Sequence, residues 1–260
     1  MTVSFISRIA GARTIILNRL NDMVDLDTCE MKRHVCTIQV LLLLSCAGFS
    51  QQASEHSNAA HPVRSAQETW ADLMRGNQRF VTGKPKPLDV AALRVSLAEA
   101  QHPDVIVLTC SDSRVSPEVL FDQSLGDLFV VRSAGNIADA IGVGSIEYAV
   151  EHLGSTVLVV LGHTKCGAVS AACSEGKIVS PNVRAIVDKI EPAVARARSI
   201  RGSDDLIETA IKENVHQSAK DVLASSELLR DFAAKGKLSV FQAEYQLDSG
   251  EVILLEGPRP

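Results

Sequence analysis

No block of basic residues occurs anywhere in this chain, and a formal net charge of −5 over 260 residues is mild. A nucleic acid or an anionic membrane surface is therefore not the implied partner, and a small substrate is expected instead. There is no Cys-x-x-Cys, which excludes a thioredoxin-type dithiol. His-x-Glu and Pro-Cys-x-x-Cys are also missing, which excludes a zinc deaminase. No internal repeat is present. A disulfide framework is disfavoured as well: of six cysteines, Cys29, Cys36 and Cys46 fall near the N-terminus, leaving the odd set Cys110, Cys166 and Cys173. What remains is ordinary: 46% hydrophobic and 22% charged residues support one substantial core.

The N-terminal part divides by composition. Residues 1–30 carry no fold signal and read as an upstream extension, with Met31 an alternative start. Met31-Lys32-Arg33-His34, the apolar Val40-Leu41-Leu42-Leu43-Leu44 and the small residues Ser45-Cys46-Ala47 follow the order of a secretory signal over residues 31–47. The apolar run is too short to span a bilayer. Cleavage after Ala47 and a lipid anchor on Cys46 are the two outcomes of a working signal, and both imply an exported protein, periplasmic or membrane-anchored; the protein is cytoplasmic if the signal is not used. The polar residues 48–64 read as a linker, and the folded domain is expected over residues 65–260.

Within that domain, two β-branched runs end in soft or nitrogen ligands. Val105-Ile106-Val107-Leu108 leads into Cys110-Ser111-Asp112-Ser113-Arg114, and Val157-Leu158-Val159-Val160-Leu161 leads into Gly162-His163-Thr164-Lys165-Cys166. Parallel strands of one sheet would deliver these ligands to the crevice at their carboxyl ends. A third run, Leu128-Phe129-Val130-Val131, is expected beside them. Leu238-Ser239-Val240-Phe241 turns at Asp248-Ser249-Gly250 into Val252-Ile253-Leu254-Leu255 as an edge hairpin. Helical spacing appears at Trp70, Leu73, Met74 and Phe80, interrupted by Gly76-Asn77, with an apolar face that needs a partner. It returns around Ile146–Leu153, from 183 to 200 with a kink at Pro192, and from 205 to 234 with a division at Ser225-Ser226. The fold class is α/β, with a mainly parallel sheet and flanking helices.

Zinc takes cysteine sulfur and histidine nitrogen tetrahedrally, and a site with three protein ligands keeps a place for water. Cys110, His163 and Cys166 form such a set. Two thiolates cancel the ion's charge, so its water ionises less readily than at a site of three neutral histidines, and a nearby acceptor is needed. Asp112, held ionised by Arg114, meets that need in one of two states: bound to zinc as a fourth ligand, or turned to Arg114. The bland counterpart is a closed, structural zinc site in a non-catalytic interaction module, with Asp112 a permanent ligand. Cys173 reads as a plain buried residue.

Cys110-Ser111-Asp112-Ser113-Arg114-Val115, Arg132-Ser133-Ala134-Gly135-Asn136 and Gly162-His163-Thr164-Lys165-Cys166-Gly167, with Arg75-Gly76-Asn77-Gln78-Arg79-Phe80 upstream, together resemble the motif set of the β-class carbonic anhydrases. The resemblance implies one zinc per subunit on Cys110, His163 and Cys166, an Asp112 and Arg114 dyad, and reversible hydration of carbon dioxide to bicarbonate. It implies a homodimer or higher homo-oligomer, with the Trp70 helix packed on the neighbouring subunit. It also marks Gln101, Phe129, Ala134, Gly135 and Tyr148 as substrate-pocket positions, some of them supplied by the partner. Hydrolysis of carbon disulfide or carbonyl sulfide is the alternative chemistry on the same scaffold.

Overall fold

The computed structural model describes residues 64–174, 176, 180–200 and 205–258. The extension, the signal with Cys46, and all of the linker but Arg64 lie outside the described residues.

Five strands form one sheet in the order β2-β1-β3-β4-β5: β1 (Val105–Cys110), β2 (Leu128–Ser133), β3 (Val157–His163), β4 (Ser239–Tyr245) and β5 (Val252–Glu256). The first four are mutually parallel, and only β5 runs antiparallel. Every residue of β1 and β3 is buried. Strands covered on both faces read as continuous rather than alternating apolar runs, which is how these two read in the sequence. β4 runs on past the expected Phe241. Gln242 and Glu244 break the apolar run, but Ala243 and Tyr245 keep the alternate positions that face the core.

Helices cover both faces. Ile106, Leu108, Leu158 and Val160 pack with α4 (Ala140–His152), α7 (Leu206–Ser225) and α8 (Glu227–Ala234) on one side. Val107, Val159, Phe241 and Tyr245 pack with α1 (Ala66–Val81) on the other. α2 (Val90–Ser96) and the single turn α3 (Pro117–Leu120) lie between α1 and β2 in the chain, while α5 (Gly167–Cys173) and α6 (Pro181–Ser199) follow β3. Ser226 ends α7 and caps α8 through its hydroxyl, which accepts from the Leu229 amide at 3.1 Å.

One expectation is corrected. α1 is not interrupted at Gly76-Asn77, because both residues are packing devices. A Cβ on Gly76 would lie 1.7 Å from the Phe121 carbonyl oxygen. The Asn77 amide donates to the carbonyls of Leu120 (3.1 Å) and Gly250 (2.8 Å) and accepts from the Val252 amide (3.0 Å). The apolar face of α1 also finds its partner within the chain: Leu73 is buried and Trp70 stacks on Phe241 with ring centroids 4.9 Å apart. Pro192 leaves α6 a single element, held along one face by buried Ile190, Ala193, Val194 and Ala197.

Candidate metal centre

The register of the central strands builds the site. Thr109 pairs with Leu161, so β1 and β3 end level, and Cys110 emerges beside Gly162 and His163. The chain then turns sharply, with Lys165 at φ 56°, and Cys166 follows as the residue preceding α5. One ligand atom each from Cys110, His163 and Cys166 lie within 4.8 Å of one another, and all three residues are buried. Cys110 Sγ accepts the Gly135 amide at 3.2 Å. His163 Nδ1 donates to the Thr164 carbonyl at 2.9 Å, whereas Nε2 is buried and has no hydrogen-bond partner among the described residues. A buried imidazole nitrogen seldom stays unpaired. Here it faces two sulfurs, and a thiophilic divalent ion would satisfy all three atoms at once.

The electrostatics of the ion-free cluster agree. A hydrogen bond with Cys166, assisted by His163 and the Gly135 amide, pulls the Cys110 thiol far down against its burial. That same bond, together with burial, pushes Cys166 up. Burial works to lower the His163 imidazole, yet Cys110 and the Thr164 carbonyl leave it raised. The three groups thus compete for protons that a cation would displace.

Asp112 sits at the mouth. Its carboxylate takes Arg114 in a bidentate grip, Nε to Oδ1 at 2.9 Å and Nη2 to Oδ2 at 2.7 Å, and also accepts the Arg114 amide at 2.9 Å. The Arg114 guanidinium, then its amide, hold the carboxyl well below the usual carboxylate range. Oδ2 lies 3.9 Å from His163 Nε2, so the carboxylate borders the ligand cluster while committed to the arginine.

Of the other expected pocket residues, Ala134 and Gly135 form a short helical turn (Ala134–Asn136) beside Cys110, and Gly135 at φ 74° brings its amide to the sulfur. Gln101, Phe129 and Tyr148 are not brought to this cluster. Gln101 is exposed ahead of β1, and Phe129 pairs with Ile106 near that strand's amino end. Tyr148 lies on α4 against Phe129, with centroids 6.4 Å apart and 49% of its surface exposed. Ile106 lies four residues before Cys110, about 13 Å along the strand, and Gln101 precedes the strand altogether.

Sequence reasoning assigned no role to three supporting residues, two of them inside the quoted motifs. Arg132 donates to the carbonyls of Cys110 (3.1 Å) and Asp112 (2.7 Å), Asn214 holds the Gly135 carbonyl at 2.7 Å, and Thr164 braces the ligand loop. Arg132, 22 residues after Cys110, and Asn214, 79 residues after Gly135, carry no local signal for these contacts.

Buried sulfur and imidazole ligands at the carboxyl ends of parallel strands, with an ionised carboxylate at their edge, define an α/β metalloenzyme. Comparison with known proteins narrows the class. Residues 105–252 match the family model for carbonic anhydrase. Carbonic anhydrase 2 of Mycobacterium tuberculosis is 39% identical over 71% of this chain and 90% of its own length. The carbonic anhydrase of Mycolicibacterium smegmatis is also 39% identical, over 71% and 91%. The solved Coccomyxa β-carbonic anhydrase, in complex with acetazolamide, superposes with a TM-score of 0.58 at 26% identity, covering 74% of this chain and 85% of that one. This chain belongs to the β-carbonic anhydrase family and is an enzyme of that kind.

Proposed function

We propose that the enzyme catalyses the zinc-dependent, reversible hydration of carbon dioxide to bicarbonate and a proton, with zinc held by Cys110 Sγ, His163 Nε2 and Cys166 Sγ. The observation that carries this reading is the unpaired, buried Nε2 facing two sulfurs beside an ionised Asp112. Zinc in this donor set supplies the Lewis acidity that makes water a nucleophile, tempered by the charge of two thiolates.

The chain's own groups do the rest. Asp112 Oδ2 accepts the proton that water gives up and passes it outward past Arg114, whose side chain is 55% exposed. Arg114 keeps the carboxylate ionised and turned from His163; its release toward the cluster is the closed state. The Gly135 amide, donating to Cys110 Sγ, draws electron density from that sulfur and partly offsets the second thiolate. Because the thiolates weaken the Lewis acid, activity rises toward alkaline pH.

Gln101, Phe129 and Tyr148 complete the pocket from a second subunit. Ile141 and Tyr148 stand 79% and 49% exposed on α4, beside β2 as the sheet's edge strand, so this side of the molecule is the contact face. Export directed by residues 31–47 stands on sequence alone, and the N-terminus of protein isolated from cells checks it.

Metal analysis of the purified protein, paired with stopped-flow hydration assays before and after chelation, tests the central reading. One zinc per chain and activity lost on chelation, then restored by zinc, are expected. A protein without metal, or one that hydrates carbon dioxide after chelation, overturns it.

A further inference from the structure

Thr164 stands between two of the ligands, is 8% exposed, and has each backbone group and its hydroxyl oxygen engaged. Its amide donates to the Tyr245 carbonyl at 3.0 Å, and its carbonyl accepts His163 Nδ1 at 2.9 Å. Its hydroxyl oxygen accepts the Leu247 amide at 3.0 Å. The second contact fixes the imidazole tautomer, because a proton on Nδ1 leaves Nε2 as the ring atom with a free lone pair.

The third contact reaches a firm anchor. Leu247 begins the turn between β4 and β5. That turn is closed by the Gln246 amide on the Glu251 carbonyl and the Gly250 amide on the Gln246 carbonyl, both at 2.8 Å. From its other side Asn77 on α1 grips Gly250 and Val252 at 2.8 and 3.0 Å.

We propose that the Thr164 hydroxyl is a positioning device for the metal centre, tying the ligand loop to the β4–β5 turn so that His163 presents Nε2 to the ion. The inference rests on the assignment of zinc to Cys110, His163 and Cys166 and adds a residue outside the ligand set. A neighbouring tie isolates the physical cause. Lys165 Nζ meets both Asp248 oxygens at 2.8 Å and joins the same loop to the same turn, but its side chain is 59% exposed and that of Asp248 80%. Exposed ion pairs hold little, whereas a neutral hydrogen bond to a buried hydroxyl is less open to competition from solvent. The buried tie, not the ionic one, carries the geometry.

Zinc affinity, measured by competition with a chromophoric chelator, and the absorption spectrum of the cobalt-substituted protein test this on the full chain. Thr164→Val keeps the side chain's shape and drops the acceptor; its zinc affinity falls about tenfold or more, the range found when groups orienting a ligand are removed, and its cobalt bands shift. Thr164→Ser restores both, and Asp248→Asn stays within about twofold of the parent. Thr164→Ser and Thr164→Ala, which both lack the methyl group, repeat the comparison should Thr164→Val fold poorly by thermal melting. Parental affinity and spectrum in Thr164→Val, or Thr164→Ala indistinguishable from Thr164→Ser, overturns the proposal while leaving the zinc assignment standing. Absence of zinc from the parent protein overturns both.

Discussion

The two ends of the central strands differ in what one chain supplies. At the carboxyl end, Cys110, His163 and Cys166 are 5%, 0% and 0% exposed and close a ligand set without help. Toward the amino end, Gln101, Phe129 and Tyr148 lie open or half-open, and the pocket they are expected to serve is a strand's length away. Cys110 and His163 end buried strands and are set level by register, while Cys166 depends on the turn that follows β3. Gln101 on a loop, Phe129 on the edge strand and Tyr148 on an outer helix have no such placement.

The sharpest way to break the comparison is at the mouth of the metal site. Asp112→Asn leaves the ligands in place but removes the proton acceptor, and the hydration rate in stopped-flow assays falls by about two to four orders of magnitude with metal content unchanged. An unaltered rate and pH profile would remove Asp112 from the mechanism.

The open end is broken by charge. Ile141→Lys places an ammonium on the exposed apolar face beside β2, so sedimentation detects monomers and activity falls about tenfold or more while zinc is retained. A fully active monomer would show that Gln101 and its neighbours serve no second subunit.

The smallest effect concerns a second carboxylate near the closed end. Glu244 on β4 is 1% exposed; Gln246 Nε2 donates to its Oε2 at 2.7 Å, while Oε1 has no partner among the described residues. Burial raises its carboxyl, with Lys212 only partly opposing. An acid whose folded value is raised contributes full stability below its unfolded value near 4.3, and that contribution is lost as pH rises through the folded value, at about 1.4 kcal/mol per pKa unit. Glu244→Gln removes the dependence, so its melting temperature gains on the parent as pH rises from 5 to 8 and not below 4. Equal gaps at both ends of that range would place Glu244 outside the linkage. Asp112, depressed rather than raised, behaves oppositely: its contribution is full above its unfolded value and fades only in strong acid.

Much of the fold could be read along the chain, for physical reasons that differ by element. The all-apolar runs of β1 and β3 announce strands buried on both faces, and the ligand types at their ends announce the cluster. The same reasoning failed at Gly76-Asn77. Glycine and asparagine weaken a helix by intrinsic preference, and only the Phe121 backbone and the β4–β5 turn explain why α1 needs both. Arg132 and Asn214 were out of reach in the same way, because each supports the site through a carbonyl distant in sequence.

The sequence by itself pointed to Cys110, His163 and Cys166, to parallel strands and to the Asp112 and Arg114 pair, because residue type at the ends of apolar runs, with local spacing in His163–Cys166 and Asp112–Arg114, marks them. Tertiary structure alone decided which atom of His163 is left free, which amide reaches Cys110, and that Asp112 rests on Arg114 3.9 Å from the ring. Hydrogen bonds between segments far apart in the chain exist only once the core has brought those segments together.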